Sequence, residues 1–123
     1  MIHTLMLCML PGIPWHVNDP TIQQMHISAT KWRRYYQLAP QTLDERCCIL
    51  AQRHAEYMAK YEWYEHGRHD QVIHRGPTSA AACISGWVYS PPHFGWLLSN
   101  TRKCGWGHAV SRNGIHYWVG VFK

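Results

Sequence analysis

The sequence predicts a small α+β domain in which about four helices surround a short antiparallel sheet. Three observations support this fold class: 123 residues suit a single domain, residues 20–61 carry apolar residues at helical spacing, and two strand-like runs flank an Asn-Gly turn near the C-terminus. Apolar residues make up 46% of the chain and charged residues 15%, which excludes an intrinsically disordered protein. No run reaches the ~18 apolar residues of a membrane span.

Residues 1–19 are predicted to form an irregular N-terminal arm before a domain over residues 20–123. A secretory signal peptide needs a basic start and a longer apolar core, but no Lys or Arg precedes Lys31 and Pro11 interrupts the apolar run. Two interpretations stay open. The arm is either a weak signal-like segment or a segment that packs three apolar side chains on the domain: Leu5, Leu7 and Trp15.

Two amphipathic helices are predicted next. Asp19 and Pro20 suit the N-cap and the first turn of a helix that ends before Pro40. Thr42 and Glu45 have the S/T-x-x-E spacing of a capping box, which predicts that the second helix begins near Thr42. Their apolar stripes are Ile22, Met25, Ala29, Trp32 and Tyr36 in the first helix, and Leu43, Cys47, Leu50, Ala51, His54, Met58 and Tyr61 in the second. Because His54 lies on the stripe, a hydrogen-bonded core or boundary histidine is favoured there over a metal ligand.

The remaining elements are shorter. Strands are expected over residues 63–66 and 71–74, and a third helix begins after residues 77–79. Ser90 and Pro91 suit the start of a fourth, short helix. Residues 104–110 and 115–122 form the predicted hairpin, since both residues of its Asn-Gly turn tolerate positive φ.

The cysteines do not indicate a disulfide framework or a cysteine-type zinc site. Their number is odd and none belongs to a CxxC pair, so small buried residues of a reduced protein are expected: Cys8, Cys47, Cys48, Cys83 and Cys104.

Charge and histidine content suggest partners. The net charge is +5, and residues 71–123 contain no acidic residue, which suits an anionic partner or simply scattered solvated charges. There are ten histidines, and residues 66–70 (His-Gly-Arg-His-Asp) place two imidazoles beside a carboxylate. Imidazole is a ligand for zinc or copper, although the HxxH pattern by itself is weak.

Several segments together resemble the CAP superfamily of cysteine-rich secretory, antigen 5 and pathogenesis-related 1 proteins, in a short bacterial or phage form. Residues 51–59 match the family pattern AQ-x-x-A-x-x-MA, and Glu65-His66 matches the histidine that follows it. Trp87-x-x-Ser90-Pro91-x-His93 resembles the bacterial W-x-x-S-P-x-H motif, and Tyr117-Trp118-Val119 resembles the closing hairpin. The resemblance covers roughly residues 20–123.

This resemblance implies an α-β-α sandwich with a central cleft that two histidines and two glutamates face, and in which the histidines can hold a divalent metal such as zinc. His66 and His93 match the two histidines, and His69 or Asp70 is a candidate third ligand. Gln71 stands where the family has its first glutamate, and Ser90 where it has its second. An amide has no useful proton affinity, so hydrolysis would need another carboxylate, such as Glu62, Glu65 or Asp70.

Three functions are consistent with these residues and with the family resemblance. The first is a non-enzymatic binding module whose cleft holds a divalent metal, a small ligand, a lipid or a protein. The second is a metal-dependent hydrolase of peptide or cell-wall polymer acting through His66 and His93, with Gln71 in place of the base. The third, disfavoured, is a nucleic-acid or anionic-polymer binder. Trp96 is predicted to border the cleft or a partner surface. The family favours secretion, whereas the absence of a convincing signal peptide and the unpaired cysteines allow an intracellular location.

Overall fold

The structure is a computed structural model that describes residues 15–67 and 70–123. The predictions for Leu5, Leu7, Cys8, the signal-like segment and His69 lie outside these residues. A 3-10 turn at His16–Asn18 precedes the first helix. The helices are α1 (Pro20–Tyr35), α2 (Glu45–Tyr61), α3 (Ala80–Val88) and α4 (Pro91–Leu97), and the strands are β1 (Thr42–Leu43), β2 (Gln71–Arg75), β3 (Lys103–Val110) and β4 (His116–Phe122).

The four strands form one sheet in the order β1-β3-β4-β2. The predicted hairpin is the antiparallel pair of β3 and β4, and β2 adds to β4, also antiparallel. The sheet is nevertheless mixed rather than purely antiparallel, because β1 pairs parallel with the start of β3, Thr42 opposite Lys103. The strand expected at residues 63–66 is absent from the described structure, where Trp63–Gly67 forms no ladder with a neighbour.

Helices cover both faces of the sheet, as an α-β-α sandwich requires. The α2 face buries Met58 against Ile73, Tyr117 and Val119. The other face buries three large aromatic side chains beneath α1, α3 and α4: Trp87, Trp106 and Trp118. The alternation along β3 and β4 therefore sends successive residues to opposite cores.

Two glycines of β3 bring α2 unusually close to the sheet. A Cβ on Gly105 would lie 2.2 Å from the carbonyl carbon of Cys47, and a Cβ on Gly107 would lie 2.4 Å from the backbone nitrogen of Gln52. No real Cβ contact is this short. The backbone of α2 therefore rests directly on the strand, which fixes the position of every side chain that α2 presents.

The predicted helix starts are mostly confirmed. Asp19 Oδ1 accepts hydrogen bonds from the backbone N–H groups of Thr21 at 2.9 Å and Ile22 at 3.1 Å. The capping-box prediction at Thr42 is wrong, because Thr42 belongs to β1 and Asp44 caps α2 through the N–H of Cys47 at 2.9 Å. Glu45 does not reach back to Thr42; its carboxylate accepts from the Val17 N–H at 3.0 Å.

Four cysteines are buried and unpaired: Cys47, Cys48, Cys83 and Cys104. Burial raises the pKa of the Cys47 thiol to about 11 and that of Cys48 to about 12, so these side chains behave as small apolar residues. Among the described residues, no helix is both long enough and apolar enough to cross a membrane.

Candidate functional site

An open groove lies between α2 and the segment that leads into β2. It is open to solvent and has a volume of about 770 Å³. One wall is a face of α2, the other is the segment from Glu65 to Gly67, and the first residue of β2 lies between them. Its lining residues are Leu50, Arg53, His54, Tyr57, Glu65, His66, Gly67 and Gln71.

The helical wall of the groove follows from residue spacing. Leu50, Arg53, His54 and Tyr57 recur at intervals of three and four along α2, so their side chains share one face of the helix. The buried stripe of α2 instead uses residues such as Ala51, Ala55 and Met58, which pack against the sheet. The groove residues thus occupy the edge of α2 beside that stripe.

Gln71 forms part of the groove lining and is only 5% exposed. Its Oε1 accepts a hydrogen bond from the backbone N–H of Gly67 at 2.8 Å, which fixes the orientation of the amide. Its Nε2 has no hydrogen-bond partner. Within residues 15–67 and 70–123, no other buried side-chain nitrogen or oxygen lacks a partner. An unsatisfied buried donor costs about 1–3 kcal/mol, so an acceptor beside it would stabilise the site.

His54, on α2, also forms a hydrogen bond with the wall formed by Glu65–Gly67. Its Nε2 lies 2.6 Å from the carbonyl oxygen of Glu65, and because a carbonyl can only accept, Nε2 carries the proton. In the neutral imidazole, Nδ1 is then an acceptor. His54 is half-buried and hydrogen-bonded, as the sequence suggested for a boundary histidine, yet it also lines the groove.

A small space beside Gly67 is flanked by both of these side chains. A Cβ on Gly67 would lie 3.2 Å from Gln71 Nε2 and 3.2 Å from His54 Nδ1. The two nitrogens are therefore no farther apart than twice that distance, and one of them donates while the other accepts. A side chain at position 67 would fill this space.

His93 lies in the first turn of α4, where its Nδ1 is 2.8 Å from Ser90 Oγ. The pKa of His93 is lowered by burial and further by the nearby charges that His66 and His74 would carry when protonated. The fold thus brings these three imidazoles into electrostatic range. His66 is exposed at the groove, whereas His93 is half-buried and is not among the groove-lining residues.

The described residues give no support for a metal site with three or more protein ligands. No group of three or more His, Cys, Asp or Glu side chains in residues 15–67 and 70–123 is arranged to hold one. Asp70 is exposed, and its backbone carbonyl accepts from the Phe122 N–H at 3.0 Å. The Gln71 Oε1 is already occupied by the Gly67 N–H, so the group of this amide that remains without a partner is an N–H donor and not an oxygen. Such an amide suits an acceptor and not a cation.

Trp96 lies apart from this groove. It is half-buried in α4 and stacks on Phe122 with ring centroids 5.9 Å apart, and it packs against the core beneath α1 and α3. Its role at a partner surface stays a prediction.

Arg53 and Tyr57 belong to no sequence motif that marks them as site residues. Their helical spacing with Leu50 and His54 was visible in the sequence. However, the second wall of the groove is formed by a segment without regular secondary structure, and no local pattern predicts where it packs.

The chain matches a protein-family model in sequence and solved proteins in structure. The sequence model of the CAP, or cysteine-rich secretory protein, family matches residues 29–122. A comparison with curated proteins finds no matching sequence.

Solved structures share the fold at low sequence identity. An outer surface protein of Borrelia burgdorferi has a TM-score of 0.73 at 16% identity, over 85% of this chain and 94% of that one. Venom allergen-like protein 4 of Schistosoma mansoni has a TM-score of 0.67 at 12% identity, over 85% and 88%. An extracellular SCP-domain protein of Bacillus anthracis has a TM-score of 0.66 at 16% identity, over 94% of this chain but 44% of that one. The family match over most of the chain and this shared α-β-α sandwich lead to one conclusion: the chain belongs to the cysteine-rich secretory protein (CAP) family.

Proposed function

We propose that this CAP domain is a non-enzymatic binding module whose groove beside His66 takes a small ligand. The observation that carries the proposal is the state of Gln71. This residue stands where the family resemblance implies a glutamate, and its amide is tied to the Gly67 N–H at 2.8 Å. A side chain with no proton affinity at that position supports binding rather than acid–base chemistry.

The second position supports the same function. Ser90 replaces the other carboxylate that the resemblance implies, and its hydroxyl is engaged with His93 Nδ1 at 2.8 Å. Glu65 is the one carboxylate among the groove-lining residues, and it is exposed to solvent. One solvated carboxylate does not replace the pair of glutamates that the resemblance implies for acid–base chemistry.

The test compares the wild-type protein with the variant Gln71→Glu, assayed on casein and on purified peptidoglycan. We expect neither protein to hydrolyse either polymer, while a fragment library monitored by NMR shifts resonances of groove residues in the wild type. Hydrolysis that appears in Gln71→Glu would favour the alternative of a hydrolase that lacks its base. A library without any groove-specific shift would contradict the binding proposal.

A metal at His66 and His93 is the second candidate, because these imidazoles lie within electrostatic range of each other. Zinc prefers four ligands, and two histidines supply half of them. We therefore expect calorimetry to detect no zinc binding tighter than millimolar. Micromolar binding that disappears in the double variant His66→Ala/His93→Ala would instead support the metal candidate. His69 lies outside the described residues, so His69→Ala is the third arm of that titration.

Nucleic-acid binding is tested separately at low salt. Electrostatic binding to phosphates is strongest there, so a gel shift at ~50 mM salt is the most sensitive condition. We expect no shift, since the groove lining holds one permanent cation, Arg53, alongside the carboxylate of Glu65, and presents no cluster of cations.

A further inference from the structure

We propose that the groove binds a neutral oligosaccharide, with Tyr57 and Tyr61 packing against sugar rings and with Gln71 and His54 together holding one sugar hydroxyl. This inference rests on the proposed binding function and names the chemical class of its ligand. It is drawn from the unpartnered donor, the space beside Gly67 and the exposed rings of α2.

The polar part of the site matches a hydroxyl group better than any other single group. Gln71 Nε2 is a buried donor without a partner, and its amide cannot turn over because Oε1 is held by the Gly67 N–H. His54 Nδ1 is an acceptor, because Nε2 donates to the Glu65 carbonyl. Only a group that both accepts and donates can satisfy the two nitrogens at once. A hydroxyl does so, whereas a carboxylate lacks the proton and an ammonium lacks the lone pair.

The distances allow one oxygen to bridge the pair. Both nitrogens lie 3.2 Å from the position that a Cβ on Gly67 would occupy. The two nitrogens are therefore at most twice 3.2 Å apart. One oxygen with contacts of up to about 3.2 Å to each nitrogen can bridge that separation. Gly67 keeps the space open, since it has no side chain.

An exposed row of aromatic rings continues the groove along α2. The ring of Tyr57 lies 6.2 Å from the imidazole of His54, nearly parallel to it, and 5.0 Å from the ring of Tyr61. Tyr57 is 49% exposed and Tyr61 is 56% exposed. Phenol rings offer a flat apolar face and a polar hydroxyl tip. This combination suits sugars, whose rings present C–H groups on their faces and hydroxyls on their edges.

The charged residues of the groove favour a neutral polymer as the ligand. The chain as a whole carries +5, yet the groove contains one permanent cation, Arg53, and one anion, Glu65. Both lie at the rim as exposed side chains that form no ion pair with another residue of 15–67 and 70–123. Two free, opposite charges can each hydrogen-bond hydroxyls, whereas an anionic chain would be repelled by Glu65 and a cationic one by Arg53.

The experiment titrates the full chain with two neutral hexasaccharides, cellohexaose and chitohexaose, and follows binding by calorimetry and NMR. Both probes carry hydroxyl-rich β-1,4-linked rings, and chitohexaose also carries acetamido groups. We expect at least one of them to bind and to shift resonances of Tyr57, Tyr61 and Gln71. Tighter binding of chitohexaose would identify the acetamido group as part of the recognised unit, and equal binding would identify the hydroxyls alone.

Three variants test the assignment of roles. Tyr57→Ala removes an exposed ring and should weaken binding about tenfold, which corresponds to about 1.4 kcal/mol. Gly67→Ala places a methyl group in the space between the two nitrogens and should weaken binding by a similar factor while leaving the fold intact. The control is Tyr35→Ala, which removes a tyrosine ring of α1 that is 74% exposed and lies outside the groove, and it should leave the affinity unchanged.

Several outcomes would overturn the inference. Binding that survives both Tyr57→Ala and Gly67→Ala would place the sugar elsewhere. If neither hexasaccharide binds while the fragment library still shifts groove resonances, the binding function stands and the carbohydrate assignment is wrong, with only a water between Gln71 and His54. If the library also gives no groove shift, the proposed function itself fails.

Discussion

Arg33 is a buried cation that is held by backbone carbonyls rather than by an acid. It is 5% exposed, and its guanidinium donates to the carbonyl oxygens of Ala39 at 2.7 Å, Leu97 at 3.0 Å and Ser99 at 2.9 Å. These carbonyls belong to the segments that follow α1 and end α4. One planar group with five donors thereby ties two chain segments together.

This geometry predicts that lysine cannot replace Arg33. A lysine ammonium is a point donor on a flexible stem and cannot span three carbonyls in a fork. We expect Arg33→Lys to lower the free energy of unfolding by about 2 kcal/mol, measured by urea denaturation. The neighbouring exposed residue provides the control, and Arg34→Lys should change stability by less than about 0.5 kcal/mol. A wild-type midpoint for Arg33→Lys would show that the three hydrogen bonds contribute little.

At Gly105, α2 and β3 pack so closely that a single added methyl group would disrupt their contact. A Cβ on Gly105 would lie 2.2 Å from backbone atoms of both Cys47 and Cys48, and backbone cannot move aside as a side-chain tip can. Adding this methyl group would force α2 away from the sheet.

We therefore expect Gly105→Ala to destabilise the protein by about 3 kcal/mol or more, or to prevent folding. Gly95→Ala is the matched control: it lies in α4, has no atom within 4 Å of the added Cβ, and should stabilise the helix by about 0.5–1 kcal/mol. Thermal unfolding of both variants measures the contrast. Equal melting temperatures for the two would mean that α2 does not rest on β3 as described.

The elements show which parts of the fold could be predicted from the sequence. Asp19 caps α1 as predicted, because an N-cap depends on side chains within three residues of it. The third helix also begins after residues 77–79 as predicted, and Ser79 is its cap. The start of α2 was predicted two residues early, because Thr42 and Asp44 are both acceptable caps by local criteria. What decides between them is the parallel pairing of Thr42 with Lys103, a contact between distant parts of the chain.

The same distinction applies to the groove. The spacing of His54 and Tyr57 on one helical face was readable from the sequence, and the family resemblance directed attention to His66 and Gln71. The bond from the Gly67 N–H to Gln71 Oε1 was not predictable, because it depends on how an irregular segment folds back over β2. The tautomer of His54, on which the hydroxyl argument depends, follows from a contact with the carbonyl of Glu65 in that same segment.

At the scale of the whole molecule, burial of histidines makes stability depend on pH. Burial lowers the pKa of four imidazoles from the ordinary value: His26, His74, His93 and His108. For His108, burial and the adjacent His116 ring lower the pKa to about 4. The unfolded chain therefore binds more protons than the folded chain between about pH 6.5 and pH 4.

It follows that stability is highest above about pH 6.5 and falls as the pH decreases through this range. We expect the urea midpoint to fall between pH 7 and pH 5, with His108 contributing about 1 kcal/mol after a discount for its partial exposure. The variant His108→Gln lacks this ionisation and should lose less stability over the same interval. A wild-type midpoint that is constant from pH 7 to pH 5 would contradict the burial of these imidazoles.

The two walls of the groove differ in how they are held, and therefore in how easily each of them can move. The α2 wall rests on the sheet through Gly105 and Gly107, so moving it would disrupt a buried core. The opposite wall is held by the side chains of Gln71 and His54, through one hydrogen bond each. Opening this wall costs about two hydrogen bonds, roughly 1–3 kcal/mol, far less than moving the helix. The α2 wall is therefore fixed, and the wall formed by Glu65–Gly67 is the one that can move. Under the proposed binding function, the opening of that wall sets the residence time of a ligand.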